Sequence, residues 1–216
     1  MEILAQTKAF LKARLPEPIV RKVQSFLYLT AVTRIRGLDF YLKSPDRDVL
    51  ENSIIPYFVA DNQFYKVLFV GCDWYTNGYK KYFRNQEYWT IDVDPSKSKY
   101  GAKNHINDAL QNLSHHIKDE YFDLIIYNGV FGHGINSKKD TEASMSQCFQ
   151  CLREGGILVF GWNDIPEFKP FPVIEECENL KKFKSYFFPP LSTSQYLASE
   201  HEMRHTFNFF IKPVSA

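Results

Sequence analysis

The chain has 216 residues, of which 44% are hydrophobic and 16% aromatic, with a formal net charge of +1. A chain of this size buries enough surface to fold without a disulfide or metal staple. It carries no global field that would draw it to nucleic acid or an acidic membrane, so no nucleic-acid partner is expected. Its four cysteines (Cys72, Cys148, Cys151 and Cys177) are sparse and irregularly spaced, unlike a secreted disulfide framework. No signal peptide and no stretch of about 20 apolar residues is visible, which sets the expectation of a cytoplasmic protein without a membrane span. In chain order, residues 1–60 read as a helical extension or lid. Pro16 and Pro18 precede Ile19, Val20, Val23, Phe26 and Leu27 at helical spacing, and Gly37 is a stop. Ser44-Pro45, with Asp46 and Asp48 in the first turn, predicts a second capped helix.

From about residue 61 the pattern changes to short apolar runs alternating with amphipathic segments. Val67 to Val70 predicts a strand ending at Gly71. Tyr88 to Ile91 predicts one ending at Asp92, and His105-Ile106 a short third. Phe122 to Tyr127 and Ile157 to Phe160 predict two more. A helix carrying Met145, Cys148, Phe149 and Leu152 on one face fills the last gap, with Gly155-Gly156 expected to close it. Continuous apolar strands separated by helices predict a parallel sheet covered on both faces. Phe183 to Phe188 and Thr206 to Ile211 predict an antiparallel pair finishing it.

In such a sheet, ligands sit beyond the carboxyl ends of the strands. Gly71-Cys72-Asp73 follows the first strand, where a dinucleotide fingerprint would place a second glycine at position 73. A carboxylate about 4 Å from a pyrophosphate charge costs about 4 kcal/mol at an effective dielectric near 20. Asp73 therefore disfavours a dinucleotide and favours a cationic, phosphate-free cofactor. Asp92 lies where an acid can accept both hydroxyls of a ribose, and Asp94 reads as a cap for a helix starting at Pro95. Asp108, in Asn107-Asp108-Ala109, could accept from an adenine amino group or cap the turn that follows. Asn128-Gly129-Val130-Phe131-Gly132-His133-Gly134 is a glycine-rich turn in which His133 could act as a base or orient a substrate. Gly161-Trp162-Asn163-Asp164 faces the pocket mouth, with Asp164 the second proton-handling candidate. Cys148 and Cys151 read as core cysteines, and no histidine spacing suggests a metal site.

Together these segments, from about Lys66 to Lys212, resemble the class I S-adenosylmethionine-dependent methyltransferase family. The resemblance is carried by Val67 to Cys72, Ile91 to Pro95, Asn107 to Ala109, Phe122 to Phe131 and Leu152 to Val159; the departure is Asp73, where the family has glycine. The family implies an α/β, Rossmann-like, doubly wound and mostly parallel sheet of seven strands with an antiparallel C-terminal strand, here at 61–216 behind the N-terminal helical extension. It implies S-adenosylmethionine as cofactor. Gly71, Cys72 and Asp73 would line the methionine moiety, Asp92 and Val93 the ribose, and Asn107, Asp108 and Ala109 the adenine. Asn128, Gly129, Val130 and Phe131 would flank the transferred methyl. By the same resemblance a small-molecule acceptor would meet His133, and Asp164 is the second candidate read from the residues alone. The alternatives are a catalytically inactive interaction module and, behind it, an NAD(P)-binding oxidoreductase.

Overall fold

A computed structural model describes residues 44–171, 176–200 and 203–215. The expected helix around Val20 to Leu27, the stop at Gly37 and the boundary at residue 60 lie wholly or partly outside the described residues. The first described element is a helix in three pieces, which we label α1: Pro45–Val49, a π turn Leu50–Ile54, and Ile55–Val59. Ser44 stands at its N-cap position in extended conformation but makes no side-chain cap bond, contrary to expectation. Its hydroxyl is buried without a partner. Pro45, which has no N–H to leave unsatisfied, starts the helix instead.

Eight strands follow among the described residues: β1 Lys66–Val70, β2 Glu87–Ile91, β3 Asn104–Ile106, β4 Phe122–Asn128, β5 Leu152–Asn163, β6 Lys184–Ser185, β7 Gln195–Leu197 and β8 His205–Ile211. They form one sheet of order β3-β2-β1-β4-β5-β8-β6, with β7 also paired to β8. The first five run parallel and β8 runs antiparallel to β5. The sheet is thus Rossmann-like and mostly parallel with an inverted strand near its end, as expected. It has one strand more than the seven anticipated, the short β7.

Alternation along the strands feeds two cores. Val67 and Phe69 face α1 residues Leu50, Ile54, Ile55 and Phe58. Leu68 and Val70 face the other way, toward Met145, Cys148 and Cys151 of α2, which spans Lys138–Cys151. Cys148 and Cys151 are buried free thiols in that second core, as the helix pattern required.

Two local expectations need correction. The connections after β1, β2 and β3 are 3₁₀ segments (Trp74–Lys81, Pro95–Tyr100 and Leu110–His115), and α2 is the one α-helix between the parallel strands described. Gly155-Gly156 does not close α2, which ends at Cys151 with Leu152 extended. Both glycines instead form a bulge within β5, where the pairing with β4 jumps from Phe122↔Leu152 to Leu124↔Ile157. Gly155 takes φ +69°, and its N–H donates to Lys212 O at 2.9 Å.

Candidate active site

The carboxyl ends of β1, β2, β4 and β5 and the start of β8 converge on one end of the sheet. Gly71 leaves β1 with φ +83°, and a Cβ there would come within 2.6 Å of Val130 Cγ2. The missing side chain lets the β1 turn close on the β4 turn. The next N–H, that of Cys72, donates to Asp92 Oδ2 at 2.7 Å, while Asp92 Oδ1 accepts from Asp94 N at 2.9 Å. The Asp92 carboxylate is thereby fixed across the ends of β1 and β2. Burial pushes the Cys72 thiol up to about 11, so it stays protonated and is no nucleophile at neutral pH.

Asp73 is engaged differently from the expectation of a free charge awaiting a cation. It caps the 3₁₀ segment, its Oδ1 accepting from Trp74 N at 2.6 Å and its N–H donating to Thr76 Oγ1 at 3.0 Å. Its other oxygen pairs with Lys97 Nζ from the segment after β2. The pair is about one-quarter exposed on each side and contributes at most about 1 kcal/mol. It spreads the local charge rather than concentrating it on one carboxylate.

Asn107 donates through Nδ2 to Asp92 O at 3.0 Å, tying the end of β3 to the end of β2. Val93, beside it, is 68% exposed, an apolar surface offered at the rim. Asp108 is a local turn acceptor, bonded by Ala109 N and Asn112 Nδ2 on Oδ1. Its Oδ2 lies 2.8 Å from His116 Nε2. These bonds, led by the one to His116, hold its carboxyl down to about 2. Asp94 caps the segment at Pro95 through Ser96 N, as read from the sequence.

The β4 turn supplies Asn128, Gly129, Val130 and Phe131. Gly129 takes φ +72° with open space where a Cβ would stand. Phe131, by contrast, is 1% exposed and packs among Phe160, Trp162 and Phe171, so its side chain belongs to the core. His133 stacks on Phe168 at 4.3 Å and lies 3.0 Å from Asn163 Nδ2. Partial burial lowers its pKa, which keeps it neutral at physiological pH. Asp164 pairs with Lys169.

Three further residues were not singled out from the sequence. His205 opens β8 and bridges Asn128 and Asn163. Because β8 is antiparallel, its first residue returns to the same sheet end as the last residues of β4 and β5; the expected inversion was the signal. Arg47 of α1 is 7% exposed, donates to Tyr79 OH at 2.7 Å and lies 4.4 Å over the Tyr75 ring. Lys97, the partner of Asp73, gave no signal beyond a lysine in a polar segment. Among the described residues no group of His, Cys, Asp and Glu could hold a metal, and no helix is long and apolar enough to cross a membrane.

The arrangement suits the ribose and base of a nucleoside. It comprises a pinned carboxylate at the end of β2, an exposed apolar side chain beside it, and close-packed glycine turns after β1 and β4. The strand order with an inverted β8 and this acid-ended β2 define a Rossmann-like fold. Residues 68–160 match the family model of a methyltransferase domain. A TehB-like S-adenosylmethionine-dependent methyltransferase from Corynebacterium glutamicum shares the fold at TM-score 0.55 and 16% identity, over 89% of this chain and 96% of that one. The N-methyltransferase NodS from Bradyrhizobium japonicum does so at TM-score 0.53 and 16% identity, over 76% and 97%. A putative type 11 methyltransferase from Sulfolobus solfataricus gives TM-score 0.51 and 15% identity, over 76% and 92%. The comparison with curated proteins gives no match. Residues 68–160 are thus similar to a methyltransferase domain, and the chain shares the Rossmann-like fold of these solved structures.

Proposed function

We propose that the protein transfers a methyl group to a small molecule bound at the carboxyl end of the sheet, between the β4 turn and the start of β8. The observation that carries this reading is the Asp92 carboxylate, fixed by Cys72 N and Asp94 N where β1 and β2 end. S-adenosylmethionine supplies a methyl group already activated on a sulfonium. Asp92 would accept the ribose hydroxyls with Val93 beside them, the Asn107–Ala109 turn would flank the adenine, and Gly71 to Asp73 would line the amino-acid portion. The backbone of Asn128 to Val130 would lie beside the methyl group, with the Phe131 side chain supporting that turn from below.

Methyl transfer is an in-line displacement, so the protein contributes mainly alignment. A proton acceptor is needed only where the methylated atom arrives protonated. His133, neutral and at the rim, is the side chain we assign to the acceptor's reacting group. Asp164 is second, its carboxylate shared with Lys169. The Asp73 carboxylate, although paired with Lys97, disfavours a dinucleotide phosphate at the β1 turn, whereas an acid at the position of Asp92 serves either kind of nucleoside.

Isothermal titration with S-adenosylhomocysteine tests the cofactor assignment, with NAD and NADP as controls. Binding of the first and not of the others is expected. Binding of NAD(P) alone would sink the reading. Screening small hydroxyl, thiol and amine acceptors against radiolabelled S-adenosylmethionine tests the substrate class; label transferred only to protein or nucleic acid would overturn it.

A further inference from the structure

Two strand pairings line up a row of polar side chains across the sheet end. Asn128 at the end of β4 lies opposite Gly161 of β5, and Asn163 of β5 lies opposite His205 of β8. The gap at Gly161 is required, since a Cβ there would overlap Asn128 Oδ1 and come within 3.0 Å of His205 Nε2. The His205 ring fills that gap. Its Nδ1 is 2.7 Å from Asn163 Oδ1 and its Nε2 is 2.9 Å from Asn128 Oδ1. Asn163 Nδ2 in turn is 3.0 Å from His133 Nε2.

A neutral imidazole has one N–H and cannot donate to two carbonyl oxygens. The same cluster holds one buried donor without a partner, Asn128 Nδ2. Turning the Asn128 amide over resolves the first conflict and leaves a carbonyl oxygen, rather than an N–H donor, as the buried atom without a partner, which is the less costly of the two. Asn128 Nδ2 then donates to His205 Nε2, and His205 Nδ1–H donates to Asn163 Oδ1. The direction carries on: Asn163 Nδ2 donates to His133 Nε2, which must therefore offer its lone pair. The proton of neutral His133 is left on Nδ1.

We propose that His205 is a positioning residue that acts through Asn163 to fix His133 with its proton on Nδ1, so that His133 meets the methyl acceptor as a hydrogen-bond donor. This rests on the reading that the acceptor meets His133, and it narrows the acceptor's chemistry. The bound group must present a lone pair to an N–H, as an oxyanion, a thiolate or a carbonyl does. An acceptor that needs His133 to remove its proton would first have to break the bond from Asn163. The groups facing His205 are Asp46 and Arg47 from α1 and His133 from the β4 turn; burial nevertheless dominates and brings its pKa down to about 4, so the ring is neutral over the working range. The Phe168 face under His133 holds the second ring in plane.

The test is the protonation pattern of the His133 ring, read from long-range proton–nitrogen spectra of the ¹⁵N-labelled full chain at pH 7.5. The wild type should show a protonated Nδ1 and a bare Nε2. In Asn163→Asp the carboxylate can only accept, so the proton should move to Nε2 and the His133 titration midpoint should rise by at least half a pH unit. In His205→Leu the Asn163 amide is released and His133 should show both tautomers. A wild-type His133 protonated on Nε2 overturns the proposal, as does a proton that stays on Nδ1 in Asn163→Asp. Should His205→Leu fail to fold, the wild type and Asn163→Asp still decide. Calorimetry of the wild type with S-adenosylhomocysteine tests the cofactor reading separately, since the His133 tautomer is read with or without that ligand.

Discussion

At the scale of single residues, the site depends on groups that do two things at once. Asp92 holds the Cys72 N–H and presents its remaining lone pairs at the end of β2. A hydrogen bond to a charged group contributes about 1.5–3 kcal/mol, so Asp92→Ala should weaken S-adenosylhomocysteine binding about tenfold or more in a calorimetric titration. An unchanged affinity would remove Asp92 from the cofactor site. Gly161 has no room for a methyl group beside Asn128 and His205. Gly161→Ala should cost about 1–3 kcal/mol in a urea titration, the usual penalty of overpacking. Asp92 was legible in the sequence because the signal is local, an apolar strand followed at once by an acid. His205 was not, because its partners lie 42 and 77 residues away and only the register of β8 against β5 brings them together. Asp73 shows the opposite failure. Its place after β1 is local in the sequence, but its pairing with Lys97 depends on how the β2–β3 segment folds back.

At the scale of elements, α1 is held to the sheet by apolar packing and by one buried polar chain. Tyr79 OH receives a hydrogen bond from Arg47 and donates to Glu51 Oε1 at 2.9 Å. Tyr79→Phe removes the hydroxyl and leaves both charges short of a partner in a buried setting. The expected loss is about 1–3 kcal/mol, measurable as a lower urea midpoint with an unchanged slope. A loss below about 0.5 kcal/mol would show that packing alone anchors α1. The strands were legible because each is a short, nearly unbroken apolar run that two covered faces demand. The connections were less so. After β2 the chain must turn at Gly101, where a Cβ would press on His105 and reach within 2.7 Å of Thr90 Oγ1, and this close return leaves room for a 3₁₀ segment only. After β1, Asn77 and Gly78 fall inside the segment and weaken any longer helix. Gly155-Gly156 was misplaced because a glycine pair after a helix pattern suits either a cap or a bulge, and the hold of Lys212, just past β8, on both residues decides for the bulge.

For the whole molecule, the buried His205 makes stability depend on pH in a definite direction. Its pKa in the fold, depressed by burial to about 4, lies below the value of 6.5 it takes when exposed. Between these values the unfolded chain binds a proton that the folded chain does not. The contribution is therefore fully present above about pH 6.5 and is lost as the pH falls toward 4, by about 3 kcal/mol in all. Thermal midpoints at pH 7.5 and 4.5 should fall further apart in the wild type than in His205→Gln; equal differences would show that His205 does not titrate across this window. The inverted β8 also sets an order in time. A ribosome that has synthesised β1 through β5 has already made Gly71, Asp92, Asn128, His133 and Asn163, yet Asn163 still lacks the neighbour that orients it. If His133 meets the acceptor as proposed, competence for it awaits translation and docking of β8, and a nascent chain held short of that strand would form the turns after β1, β2 and β4 before His205 is in place.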